Sequence, residues 1–400
     1  MNNIYAALEI GTSRTVLAVG EAETGGRLRV TSHAEIVSAG VRKGQIFNIA
    51  MSSQSVKSVL KEIERAQLES GNVIDIENAF LVVNGQHVKA DHFQGSAQIA
   101  RRKVTVQDME EAARSAHSMP LPRDRELLDV IDGKYTVDGC GATTTPEGIS
   151  GQIIRLDTIH VHADANRIND ARTAAGEAKL ELRDPLFAAV CAADAVLTDA
   201  ERRDGALVLD LGGGCTGYAI HADGALVATG AIGVGGCHVT NDIACAFQTT
   251  QPQAEELKTT QACAVVGSDP EATVRIQLPG SSPLLEQRTI SRHALDTVVN
   301  ARCRELLAII RETVEEAGLF HRLHAGVVLT GGGAALRGLP ELARRELGAE
   351  VRLGTPTQID GLEDAPFPPS FAAVAGALMY AHRNYEEKSL LQSIFGGFRK

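Results

Sequence analysis

Two stretches of this chain share one alternation of apolar runs, a single acid and a turn of small residues. Residues 205–219 read GALVLDLGGGCTGYA, in which the β-prone Ala206, Leu207, Val208, Leu209 and Leu211 enclose one carboxylate, Asp210. Three glycines follow at once, then small residues, then a second apolar run. That pattern predicts strand, tight turn and strand, with the acid at the mouth of the turn. Residues 4–19, IYAALEIGTSRTVLAV, repeat it with Glu9, a Gly11-Thr12-Ser13 turn and Arg14. One such hairpin in each half of the chain is the layout an internal duplication would leave. Glycine turns let several backbone amides converge on phosphate oxygens. The acid beside them would repel bare phosphate but can hold a hydrated Mg²⁺ that bridges to it. The pair points to a polyphosphate and its metal clamped between two lobes. The alternative is two ordinary hairpins at sheet edges.

Between and beyond the hairpins the periodicity changes. Residues 27–37 form a strand candidate, and residues 52–69 predict a helix with Val56, Val59, Leu60, Ile63 and Ala66 as one apolar stripe. Ser52 or Ser53 would cap that helix and Gly71 end it. Residues 78–157 have the texture of a small inserted α+β module: a strand at 79–83, a polar helix at 104–117, a charged strand-like stretch at 123–138, and a loop rich in Gly, Thr and Pro at 139–151. The module holds no catalytic constellation, so an interaction role stands beside a plain structural one. His160 and His162 flank Val161 on a strand and share a face, without a third ligand at metal spacing.

Helices are predicted at 171–180 and at 185–197, the latter carrying Asp194 shortly before the central hairpin. A glycine-rich turn at 230–236 leads to a helix over about 240–247. Glu255 and Lys258, three apart, share a helical face and by themselves read as an ion pair. A loop at 277–286 and a long amphipathic helix at 289–317 precede AGVVLTGGGA, a buried strand running into Gly331, Gly332 and Gly333. Such a turn lets backbone approach an adenine or its α-phosphate, or is simply an unligated strand–helix connection.

Composition narrows the class. Four hundred residues exceed what one core supports, so two lobes are expected. A net charge of −11 argues against nucleic acid as a partner, and aromatics at 4% with no tryptophan leave few stacking platforms for bases. Seven cysteines without a C-x-x-C pair fit thiols in a reducing compartment. Without a basic leader or an apolar run of spanning length, the expected location is cytoplasmic. The stretch SLLQSIFGGFRK at 389–400 adds one qualification. Leu390, Leu391, Ile394, Phe395 and Phe398 fall on one helical face beside Arg399 and Lys400, as in a helix lying in a membrane interface. A helix docked on the body, or a disordered tail, is the alternative.

Taken in order, ALEIGTSRT, DPLFAAVCAADAVLTDAERRDG running into LVLDLGGG, GGCHVTNDIACAF, VVLTGGGAALRGLPELA and SFAAVAGALMYA resemble the bacterial cell-division protein FtsA over nearly the whole chain. The resemblance implies a duplicated, two-lobed actin-like α/β fold of the ribonuclease H-like type, with an inserted subdomain called 1C. It divides the chain into lobe 1 (1A) at 1–77 and 158–197, subdomain 1C at 78–157, and lobe 2 (2A) at 198–234 and 301–384. Subdomain 2B covers 235–300, and a short linker with a membrane-targeting amphipathic helix covers 385–400. It implies a scaffold that binds ATP and Mg²⁺, self-assembles, tethers FtsZ to the inner face of the cytoplasmic membrane through 2B and the tail, and recruits later division proteins through 1C.

By the same resemblance Gly11, Thr12, Ser13 and Arg14 line a first phosphate loop, and Asp210, Gly212, Gly213, Gly214 and Cys215 a second. Asp210 holds the Mg²⁺ through water, with Glu9 and Asp194 placing metal or water. Gly235 and Gly236 approach the nucleotide, Glu255 and Lys258 reach ribose or base, and Gly331, Gly332, Gly333 and Leu336 meet the adenosine. The chain departs from the family where Cys215-Thr216-Gly217 replaces the usual Thr-Thr-Asp, so a hydroxyl becomes a weak thiol donor and a carboxylate is lost. Arg14 replaces the usual Lys, and Asp194 a Glu. Binding rests on backbone amides and should survive. Hydrolysis needs a placed water and metal, so slow or undetectable turnover is expected. A soluble actin-like filament or pilus-assembly scaffold and a sugar-type kinase remain as alternatives.

Overall fold

The computed structural model describes residues 4–23, 27–71, 73–267, 275–278 and 289–396, with side chains as far as Asn384. Its frame is two five-stranded sheets with one topology. In the first, the strands run Leu28–Val37, Arg14–Ala22, Ile4–Ile10, Asn78–Val83 and Glu181–Phe187 from edge to edge. In the second they run Ala225–Ile232, Thr216–Ala222, Ala206–Leu211, Gly326–Thr330 and Val351–Leu353. Each sheet is an antiparallel three-strand meander extended by two parallel strands. Both hairpins predicted from the pattern are present, in registers such as Leu8 opposite Leu17 and Leu209 opposite Tyr218. Ala206–Leu211 and Gly326–Thr330 are buried throughout, because helices cover both faces of the sheet and leave no polar side to alternate with.

Helix Ile49–Ser70 lays Val56, Val59 and Ile63 on Leu8, Leu17 and Val19 of the first sheet. It starts earlier than the expected 52: Asn48, in extended conformation, accepts a hydrogen bond from the Met51 amide, while Ser52 and Ser53 are buried inside the helix. Gly71, in the left-handed conformation, ends it as expected. The expected helix at 185–197 is shorter, Ala188–Val196. Leu186 and Phe187 pair in parallel with Val82 and Val83 as a strand, and Pro185 sits at a register shift on the sheet edge, where its missing N–H is tolerated. The helix expected at 171–180 is Ala165–Gly176, capped by Asp164, and the stretch expected as a loop at 139–151 contains a short strand, Cys140–Thr143.

Between the lobes lie Ala188–Val196 and Ala372–Gly396, two alanine-rich helices in near backbone contact. A Cβ on Gly376 would run into the Cys191 carbonyl. The buried cluster around them takes in Ala7 and Val16 of lobe 1 and Val208 and Val328 of lobe 2. It also takes in Leu128, Ile159 and Val161 of the inserted module.

The module has its own sheet, in the order Lys89–Gln98, Ile153–Asp164, Arg125–Val137 and Cys140–Thr143. Helix Val106–His117 crosses its outer face, opened by a Thr105–Asp108 capping box and seated where a Cβ on Gly95 would overlap Ala112 and Ala116. The strand at Asn78–Val83, expected to open the module at residue 78, belongs to the first sheet instead. It pairs with Ile4–Ile10 on one side and Glu181–Phe187 on the other. Beyond the second hairpin, helices Gly236–Phe247, Gln251–Thr260 and Arg292–Glu316 share a core of Val239, Ile243, Leu257, Leu295 and Val299. Most of the loop expected at 277–286 lies outside the described residues.

Candidate functional site: a cleft between two matched turns

The hairpin turns meet across one cleft, and they close alike. The Gly11 amide donates to the Arg14 carbonyl at 2.9 Å, and the Gly212 amide to the Cys215 carbonyl at 3.0 Å. In each case the acid stands two residues before the closing glycine, so Glu9 and Asp210 enter the cleft from equivalent strand positions. The turns interlock closely: a Cβ on Gly213 would overlap Ser13, and one on Gly214 would overlap Thr12 and come within 2.8 Å of the Lys43 Cα. Gly235 and Gly236 back the second turn, whose Gly212 and Gly213 carbonyls accept from the Gly236 and Cys237 amides at 3.0 and 2.8 Å. Gly331, at φ +77°, comes so near that a side chain there would collide with the Asp210 carboxylate; Gly332 leaves the same kind of room for the Arg14 guanidinium. At Gly331 the positive φ and the Leu211 backbone beside it leave room for glycine alone.

Charge is concentrated at the floor. Asp210 is 5% exposed. Burial raises its carboxyl to about 6, while Arg14 and the Asn84 amide pull the other way. Burial, then the Asp210 charge, push the Glu9 carboxyl up to about 8, against the pull of Arg14. Two desolvated acids facing each other favour a shared cation or a retained proton. Arg14 is ion-paired with Glu35 on the neighbouring strand Leu28–Val37. The Cys215 thiol is buried, and burial with the nearby Asp210 and Glu9 charges drives its ionisation far up, leaving an uncharged weak donor.

The structure brings Glu9, Gly11, Thr12, Ser13, Arg14, Asp210, Gly212, Gly213, Gly214, Cys215, Gly331 and Gly332 together as lining of this cleft. Glu255 and Lys258 form the expected pair at 2.7 Å. Lys258 also donates to the Gly236 carbonyl at 3.3 Å, and the Thr240 hydroxyl lies 2.5 Å from Glu255, so the pair is tied to the loop behind the second turn. Gly333 lies against Leu211, and Leu336, half-buried, follows in the next turn; neither lines the cleft. Asp194 is not brought to the cleft lining: its carboxylate is held by Arg202 at 3.1 Å and Arg383 at 2.6 Å, where two helices and the chain before the second hairpin meet.

His160 and His162 are both buried, His160 against the Phe93 ring and His162 between Arg125 and Asp91. Among the described residues no group of three or more metal-ligating side chains forms. Of the tail, the side chains of Leu390, Leu391, Ile394 and Phe395, and all of Phe398, Arg399 and Lys400, lie outside the described residues. The helical backbone Ala372–Gly396 continues through residues 385–389, where a linker was expected. No helix among the described residues is long and apolar enough to cross a membrane.

Asn84, Gly44, Ser370 and Ala373 also line the cleft and are not singled out by the sequence pattern. A signal for Asn84 exists: it follows the carboxyl end of a parallel strand beside the Glu9 strand, where ligands of parallel sheets gather.

Comparison with known proteins fits this geometry. The profile of the family described as Cell division protein FtsA matches residues 207–376, and that of the SHS2 domain inserted in FtsA matches residues 85–162. The cell division protein FtsA of Pseudomonas aeruginosa is 33% identical over 380 residues, covering 94% of this chain and 89% of its own. The chain belongs to the FtsA family. The Escherichia coli K12 member is 30% identical over 392 residues, 96% of this chain and 91% of its own. As an FtsA-family protein the chain is a cell-division protein, and its insertion at 85–162 is the family's inserted domain. That range agrees with the sheet boundaries, in which residues 78–83 stay with lobe 1. Among solved structures the chain is similar to a PilM–PilN type IV pilus biogenesis complex (TM-score 0.64, 20% identity, 94% of this chain and 98% of that one). It is also similar to MreB 5 of Spiroplasma citri bound to AMPPNP (TM-score 0.54, 15% identity, 99% of each chain). These likenesses establish an actin-like fold.

Proposed function

We propose that this FtsA-family protein binds ATP with Mg²⁺ between its two hairpin turns. We further propose that it uses the bound state to assemble with itself, hold FtsZ and recruit later division proteins at the inner face of the cytoplasmic membrane. The observation that carries the reading is the pair of equivalently closed turns, interlocked through glycines, with one desolvated acid beside each. The fit is chemical: the Gly11–Arg14 and Gly212–Cys215 segments offer amide hydrogens and a guanidinium to phosphate oxygens, and Asp210 offers a carboxylate to a hydrated cation. When bound, the cation supplies charge neutralisation between phosphates and acids.

This chain's own groups do the rest. Arg14 offsets the Glu9 and Asp210 charges, the glycines admit the phosphates, and Lys258 with Glu255 fixes the loop at Gly235 and Gly236 on which ribose or base would rest. With an unreactive Cys215 and no side chain at 217, turnover is slow or undetectable, and bound nucleotide acts as a structural switch. FtsZ is assigned to residues 235–300, later division proteins to the inserted module, and the bilayer to the amphipathic residues Leu390 to Phe398 with Arg399 and Lys400.

The test is flotation of the purified chain with anionic liposomes, with and without Mg-ATP, beside a version ending at Lys388. Flotation of the full chain alone, strengthened by Mg-ATP, is the expected result. If neither version floats, the membrane assignment fails and a soluble actin-like scaffold takes its place.

A further inference from the structure

Asn84 stands where the first lobe passes into the inserted module, directly after strand Asn78–Val83. Its Nδ2 crosses the cleft and donates to Asp210 Oδ2 at 3.1 Å. The amide nitrogen faces that carboxylate because the reverse orientation would set two oxygens together. The other end of the amide, Oδ1, is buried without a hydrogen-bond partner while the residue lines the cleft. A buried carbonyl oxygen left in this way marks a place where a water or ion belongs.

The opposite wall explains why Asn84 fits. Asp210 pairs across the second hairpin with Gly217. A Cβ at 217 would lie 2.9 Å from the Ala189 Cβ and 3.5 and 3.6 Å from Asn84 Oδ1 and Nδ2. A Cβ at 217 would therefore press on Ala189 and come into van der Waals contact with the Asn84 amide, so the glycine leaves that amide its place.

Resting on the nucleotide reading above, we propose that Asn84 is a positioning residue for the cation site. It aims Asp210 through its amide N–H and presents Oδ1 to a water of a hydrated divalent cation. The amide does this without charge, so it orients water but cannot take up its proton.

The experiment measures ATP affinity of the protein by calorimetry in EDTA and in Mg²⁺, for the native chain and for Asn84→Ala and Asn84→Ser. Thermal unfolding checks that each variant is folded. The native chain should bind more tightly with Mg²⁺. Asn84→Ala should keep the EDTA affinity but lose about tenfold of the Mg²⁺ gain, as for other groups that orient metal-bound ligands. Asn84→Ser should lose less. An undiminished Mg²⁺ gain in Asn84→Ala, or an equal loss in EDTA and Mg²⁺, overturns the proposal while leaving nucleotide binding intact. If the native chain binds ATP in neither condition, the nucleotide reading falls and this proposal with it.

Discussion

Gly331 shows how closely single residues define the cleft. It holds φ +77°, and a side chain there would collide with the Asp210 carboxylate and lie 2.8 Å from both the Leu211 amide and carbonyl. Left-handed backbone alone costs a non-glycine residue about 1–2 kcal/mol. Gly331→Ala is therefore expected to lower folding stability by about 1–2 kcal/mol or more in urea unfolding and, because its Cβ would push the Asp210 carboxylate aside, to weaken Mg²⁺-dependent nucleotide binding in calorimetry. Glu9 leads to a pH effect of defined sign. Its carboxyl rises from 4.5 to about 8 in the folded protein, so the folded state keeps a proton that the unfolded chain releases. The resulting stability is complete below the unfolded value and is lost as pH rises through the folded one. Without nucleotide, the melting temperature of the native protein relative to Glu9→Gln should fall as pH rises from about 5 to about 8. A constant difference would show that Glu9 is ionised throughout. At this scale the acids and glycines were legible in the sequence, because each lies in a short motif whose geometry is local. Asn84 and the isolation of Asp194 were not, because their partners, Asp210 for one and Arg202 and Arg383 for the other, are set by tertiary packing.

Two element contacts depend on a missing side chain. Helix Ala372–Gly396 meets the Cys191 backbone at Gly376, and helix Val106–His117 meets the module strand at Gly95. Gly376→Leu overpacks the cluster that joins both lobes and should lower global stability by about 3 kcal/mol or more in urea unfolding. Gly95→Val should act differently. The module helix has a separate small core with Ala97, Ile99, Val104, Ile154 and Leu156, whereas the inner face of the module sheet belongs to the central cluster. Hydrogen exchange should therefore show loss of protection confined to 106–117, with nucleotide binding unchanged. A global loss of protection would mean that the module helix is not an independent layer. Helix and strand identities were readable wherever periodicity was sustained, as in Ile49–Ser70 and Arg292–Glu316. They failed at residues 185–187, where an apolar run fits a buried helix and a parallel strand equally well and only the neighbouring strand Asn78–Val83 chooses.

For the whole molecule, the central cluster links lobe 1, lobe 2 and the module into one buried body. Calorimetric unfolding should accordingly show one main transition; two well-separated transitions would mean that the lobes are energetically independent. The duplicated hairpins and the position of an acid beside each turn were determined by the sequence alone, since alternation, glycine and charge act over a few neighbouring residues. Tertiary structure decided the rest. It placed strand Asn78–Val83 in the first sheet rather than in the module, pressed two remote turns into one cleft, and set an amide 126 positions away in the chain against Asp210. Those outcomes depend on burial and close packing between segments far apart in sequence, and no local pattern encodes which of them will meet.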